Sequence, residues 1–193
     1  MSDLKGIAAD LQRHLGTTLP PVGIAFRSEA PAGVAHAAAG PASCAYWKRA
    51  ADGEVFWTDA ADHQGCPIGA HTHGVQMSEL QKAELMGLVG TMVQLGYLKL
   101  EEVPGIPHRK APLEVAVYAP LAQMPCEPDV VLVRGTAAQL MVLVEAAQSA
   151  GVSPDAPAMG RPTCAALPQA LEAGRATLAH ANRELEKFHR ARL

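Results

Sequence analysis

Apolar residues near the start of the chain fall three and four positions apart, at Leu4, Ile7, Leu11 and Leu15. That spacing gathers them into one stripe and predicts a helix over 3–15. Gly16 stands where such a helix ends, and Leu19-Pro20-Pro21 prevents its continuation. The unbroken apolar run 22–26 predicts a short buried strand. A second helix is predicted over 78–95, with Leu85, Leu88, Val89 and Met92 on its apolar face and the capping-box pair Ser78 and Gln81 at its start. A third covers 136–150, where Leu140, Leu143, Val144 and Ala147 share one side before Gly151. The runs 113–119 and 130–133 predict strands. About ten residues join them, enough for a crossing connection or a broad hairpin.

Three stretches fit the pattern less cleanly. The segment 44–48 is short and aromatic; Asp52-Gly53 then gives a hairpin-turn signal, with Val55, Phe56 and Trp57 as the partner strand. The alanine-, glycine- and proline-rich stretch 30–40 predicts a loop. The stretch 62–74, holding His63, Cys66, His71 and His73 among glycines and Pro67, also predicts a loop. Toward the end, a short helix is expected over 165–172. A polar helix follows over 177–192, with Leu178, Leu185 and Phe188 as a sparse apolar face. Helix and strand signals interleave without a linker or repeat. The expected fold class is α/β (mixed α+β), one domain over 1–193 with a central mixed sheet, flanking helices and a C-terminal helix.

Composition narrows the function classes. The 193 residues are 49% hydrophobic but only 4% aromatic, so the core must be built from small and aliphatic side chains. A formal net charge of -3, with no basic run interleaved with aromatics, argues against nucleic-acid binding. The first residues lack the charged-then-apolar pattern of a signal peptide, and no apolar stretch approaches the roughly 18 residues of a membrane span. The expected location is cytoplasmic, where structural disulfides are uncommon.

The chemistry rests on four cysteines far apart in sequence: Cys44, Cys66, Cys126 and Cys164. Proline or glycine neighbours favour turns or the first turn of a helix at three of them. Four thiols on separate turns suit a soft metal centre. The leading expectation is a [4Fe-4S] cluster held by all four, serving electron transfer, redox sensing or another metalloenzyme. Zinc held by cysteines with His63, His71 or His73 is an alternative, although the closely spaced ligand pairs of most zinc sites are missing. Another is a thiol- or metal-dependent enzyme using Cys66 or Cys164 with a histidine of the 63–73 stretch; Arg161 would lower the thiol pKa of Cys164. Haem is a further alternative, without a Cys-x-x-Cys-His attachment motif. Expected partners are a redox protein or metalloenzyme, or a second copy of the chain. Nucleotide-binding glycine loops are missing.

Five segments carry a resemblance in chain order: Val22-Gly23-Ile24-Ala25, Cys44-x-Tyr46-Trp47, Gly65-Cys66-Pro67-Ile68-Gly69, Pro128-Asp129-Val130-Val131-Leu132 and Gly160-Arg161-Pro162-Thr163-Cys164-Ala165. Together they make the chain similar to the uncharacterised "domain of unknown function 169" family of bacteria and archaea. The resemblance implies a metal or redox centre and no particular reaction. One departure stands out. Where relatives carry a Gly-Cys-x-x-Arg motif, this chain has Ala179-His180-Ala181-Asn182-Arg183, which makes His180 a candidate ligand or a lost site.

Overall fold

The computed structural model describes residues 2–96, 99–154 and 163–179. Its centre is a five-stranded mixed sheet of β1 (Val22–Arg27), β2 (Ala35–His36), β3 (Phe56–Asp59), β4 (Val115–Pro120) and β5 (Val130–Leu132), in the order β2-β3-β4-β1-β5. β1 lies between β4 and β5 and is antiparallel to both, with Val22 opposite Pro120 on one side and Leu132 on the other. The connection between 113–119 and 130–133 is therefore a crossing one that steps over β1. β3 adds to β4 antiparallel, and β2 to β3 parallel.

The helices are α1 (Leu4–Leu15), α2 (Ser43–Ala51), α3 (Pro67–Thr72), α4 (Glu79–Gln94), α5 (Ala137–Ser149) and α6 (Ala166–Ala173). The predicted ends hold where side chains cap them. Gly16 closes α1 in the left-handed conformation, Ser78 and Gln81 form the capping box of α4, and Thr136 and Gln139 that of α5. This is an α/β fold in one domain, as expected.

Two expectations are corrected. Residues 44–48 are helical, not a hairpin strand. Tyr46, Trp47, Ala50 and Ala51 of α2 are buried, a spacing of three and four that places them on one helical face against the sheet. The backbone N–H of Gly53 bonds the Ala50 carbonyl, so Asp52-Gly53 ends a helix. The stretch 62–74 is also more ordered than its composition suggests. It holds a 3-10 turn (Ala60–His63) capped by Asp59, then α3 with Cys66 at its N-cap and Pro67 in its first turn. The polar helix expected over 177–192 lies almost wholly outside the described residues, as does His180.

The sheet divides the core. Val22, Ile24, Ala116 and Tyr118 point to one face, against α2, α3 and α6; Ala25, Val115, Val117 and Ala119 point to the other, against α1. β1, β3 and β4 contribute alternately to both. Among the described residues no helix is long and apolar enough to cross a membrane.

Candidate functional site

Three of the four cysteines come together on the α2 side of the sheet. Cys44 lies in the first turn of α2, Cys66 caps α3, and Cys164 sits in the 3-10 turn Thr163–Ala165 that leads into α6. The sulfur of Cys66 accepts a hydrogen bond from the Gly69 N–H at 3.5 Å. Thr72, at the end of α3, lies beside Cys164, and its hydroxyl donates to the Gly69 carbonyl at 3.1 Å.

The motif Gly65-Cys66-Pro67-Ile68-Gly69 explains how two of these segments meet. A Cβ on Gly65 would lie 2.6 Å from the Gly40 carbonyl oxygen and 2.7 Å from that of Pro41. A Cβ on Gly69 would lie 2.9 Å from Ser43 Oγ. Both glycines are thus sites of close approach, and they lock the start of α3 onto the start of α2. Tyr46 reinforces the junction: its hydroxyl accepts from the Gly40 N–H at 2.7 Å and donates to the Asp62 carbonyl at 2.8 Å.

The three thiols act on one another. Burial pushes the Cys44 thiol up, and the charge of Cys66 adds to it. Burial pushes Cys164 up to about 12, the neighbouring Thr72 hydroxyl opposes this, and Cys66 and Cys44 add to the rise. Cys44 and Cys164 thus resist ionising on their own, and a bound cation or cluster would ionise them together.

Cys126 is elsewhere. It packs with Ala8, Val117, Leu121 and Met124 on the opposite face of the sheet. The structure therefore brings Cys44, Cys66 and Cys164 together and holds Cys126 across the sheet. The strand alternation that divides the core also divides the cysteines.

Beneath the junction lies a buried polar chain. Ser43 Oγ is 2.9 Å from His63 Nδ1, His63 Nε2 is 2.8 Å from Thr58 Oγ1, and Thr58 Oγ1 is 3.5 Å from the Ala116 carbonyl oxygen. That carbonyl can only accept, so Thr58 donates to it and accepts from His63 Nε2–H. His63 Nδ1 then accepts from Ser43. Desolvation, with the neighbouring His73 second, lowers the His63 pKa to about 3, so this ring is neutral. His73 is fully buried and its pKa falls to about 4, chiefly by desolvation. Its Nδ1 donates to the Gly69 carbonyl at 2.9 Å.

This arrangement bears on the histidines proposed as bases or ligands. His63 uses both ring nitrogens on Ser43 and Thr58. His73 ties down α3, and His71 faces away toward His108, with ring centroids 4.9 Å apart. Among the described hydrogen bonds, none joins a histidine to a cysteine sulfur. Arg161, proposed to activate Cys164, lies outside the described residues. Ser43 and Thr58 gave no signal in the sequence beyond the position of Ser43 beside Cys44.

A second group could hold a metal ion. The ligand atoms of His36, Asp59 and Asp62 lie within 4.8 Å of one another, with His36 Nε2 2.7 Å from Asp62 Oδ2. His36 stacks on Trp57 at 4.1 Å between centroids. Local structure already employs both carboxylates: Asp59 accepts from the Ala61 N–H, and Asp62 from the Asp59 N–H. His36 is remote in sequence, so spacing could not reveal this group.

A sheet with one cysteine-bearing corner defines an α/β protein with a thiol-rich site. The family model DUF169, described as uncharacterised ArCR, matches residues 10–179, and the chain belongs to this family. No curated relative matches it, and no solved structure does.

Proposed function

We propose that the chain binds an iron–sulfur cluster through Cys44, Cys66 and Cys164 and serves electron transfer or redox sensing. The observation that carries this reading is the glycine-locked meeting of the Cys44 and Cys66 turns, with Cys164, from a distant part of the chain, near enough to act on both. Three soft donors with no histidine bonded to them suit iron and sulfur better than a hard cation.

Spacing favours a cluster over a single zinc. Among the described residues, the set with all ligand atoms within 4.8 Å is His36, Asp59 and Asp62, so at least one pair of the three sulfurs stands further apart than that. Thiolates on one tetrahedral zinc, each about 2.3 Å from it, must sit closer together than that. A cluster separates its ligands by its own bulk. When bound, it would supply one-electron chemistry at a potential set by burial and hydrogen bonds to sulfur. The Gly69 N–H, bonded to the Cys66 sulfur, is the group of this chain in place to set that potential.

With three cysteine ligands, one iron of a [4Fe-4S] cluster is left for a ligand other than Cys126. Such a centre suits the reducing cytoplasm. The test is anaerobic purification, an absorption spectrum, and iron and sulfide counts for the parent and four Cys→Ser variants. Cys44→Ser, Cys66→Ser and Cys164→Ser should each lose most of the cluster, and Cys126→Ser should keep it. A colourless protein that cannot be reconstituted overturns the reading. Loss of the cluster in Cys126→Ser restores a four-cysteine set.

A further inference from the structure

Between α3 and α4 lies a cavity of about 220 Å³. Leu85, Val89 and Met92 of α4 line it, with Ile106 and with Ile68 of α3. The spacing of four and three along α4 turns one helical stripe into a wall. Among all the lining residues the polar side chains are two, His71 and His108. Their rings lie 4.9 Å apart and 32° from parallel. His108 Nδ1 lies 3.3 Å from the Ile106 carbonyl oxygen, which can only accept. In the neutral ring that leaves Nε2 as a lone-pair acceptor. Burial, with His108 second, lowers the pKa of His71, so the His71 ring favours its neutral form.

Size and polarity define what fits. An apolar cavity of about 150 Å³ accommodates benzene. A volume half as large again takes a ring with a few substituents. Walls of Leu, Ile, Val and Met disfavour a charged ligand, because it would lose its hydration without a counter-charge. Met86 and Met92 can adjust their side chains to a ligand's outline. The paired imidazoles fix one hydrogen-bonding position in an otherwise apolar wall, the pattern of a selective small-molecule site.

We propose that this cavity binds a small uncharged ring compound carrying one hydroxyl or N–H group, of the phenol or indole class, which donates to an imidazole of the His71–His108 pair. None of the three cysteines lines this site, and it does not depend on a cluster.

Calorimetric titration of the full chain tests it with three probes: p-cresol, toluene (the same outline without the hydroxyl) and benzoate. The expected result is saturable binding of one p-cresol per chain, about tenfold tighter than toluene for one hydrogen bond, and no binding of benzoate. His108→Phe together with His71→Phe should erase the advantage over toluene. Val89→Phe should fill the cavity and abolish binding. Met86→Trp, at a rim position where Met86 is 55% exposed, blocks the cavity without burdening the core. Cys66→Ser should leave binding unchanged, which separates this site from the cluster reading. No saturable p-cresol binding overturns the proposal, as does p-cresol binding unaffected by both Val89→Phe and Met86→Trp. Equal affinity for toluene and p-cresol overturns the role of the imidazoles.

Discussion

The two faces of the sheet are built from the same strands yet obey different chemistry. On the α1 face, Ala8, Ala25, Val117, Ala119 and Leu121 make an apolar core, and Cys126 packs there as one more small hydrophobe. On the α2 face, Ser43, Thr58, Thr72, His63 and His73 are all buried among Tyr46, Trp47 and Tyr118. Burying such groups costs free energy unless each finds a partner, so this face is harder to stabilise. Its polar chain runs from the sheet at Ala116 to Ser43, the residue before Cys44. One face holds the fold together, and the other fixes the position of a helix start that carries a thiol.

Acid should break this contrast most strongly. The pKa values of His63 and His73 are lowered to about 3 and about 4 in the folded protein, from an ordinary value of 6.5. Between those limits the unfolded chain binds more protons than the native one. The stability that comes from keeping the rings neutral is thus fully present above pH 6.5 and is lost as pH falls toward the folded values. Each ring contributes a slope of about 1.4 kcal/mol per pH unit, so about 4 kcal/mol is lost for the pair by pH 5. Urea midpoints measured from pH 7.5 to pH 5 check this. A flat profile would show that the rings are solvated in the folded state.

His63→Leu separates the two faces directly. It removes the acceptor of Ser43 and the donor to Thr58, leaving two buried hydroxyls short of a partner, at a cost of about 3 kcal/mol. It also removes one of the two titrating rings, so the acid-dependent loss should fall by about half. The control is Leu121→Met on the α1 face, a volume-conserving change expected to cost below about 1.5 kcal/mol and to leave the pH profile intact. Equal losses in the two variants would mean that the polar chain contributes packing alone.

The same contrast explains what could be read from the sequence. Long periodic segments with capping residues declared themselves: Ser78 and Gln81 of α4 and Gly16 after α1 stand where local chemistry demands. α2 did not, because an adjacent Tyr46-Trp47 pair beside Asp52-Gly53 satisfies strand and turn propensities, and only burial against the sheet decides for a helix. α3 is too short for periodicity to show, and its two glycines suggest a loop until their neighbours are known. Local context marked Cys44, Cys66 and Cys164 as unusual. It marked Cys126 equally, because the face on which a loop residue lands depends on strand pairing that no local window contains. Ser43 and Thr58 matter only through His63, and the partners of a buried polar group are set by tertiary contact.

The smallest expected effect is also the sharpest statement about the polar face. Tyr118 is fully buried, and its hydroxyl has no hydrogen-bond partner among the described residues, although Thr58 lies beside it. Thr58 already gives its one proton to the Ala116 carbonyl and receives one from His63. An added bond to Tyr118 would compete with the chain that ends at Ser43. Removing a satisfied buried group is costly, whereas removing an unsatisfied one relieves its desolvation penalty. Tyr118→Phe keeps the ring that stacks on both Tyr46 and Phe56, at 5.6 and 5.4 Å between centroids, and deletes only the hydroxyl. Stability should stay the same or rise by up to about 1 kcal/mol, read as an unchanged or higher urea midpoint. A loss of about 1 kcal/mol or more would mean that Thr58 serves Tyr118, and that the chain from His63 to the sheet is not closed at Ala116.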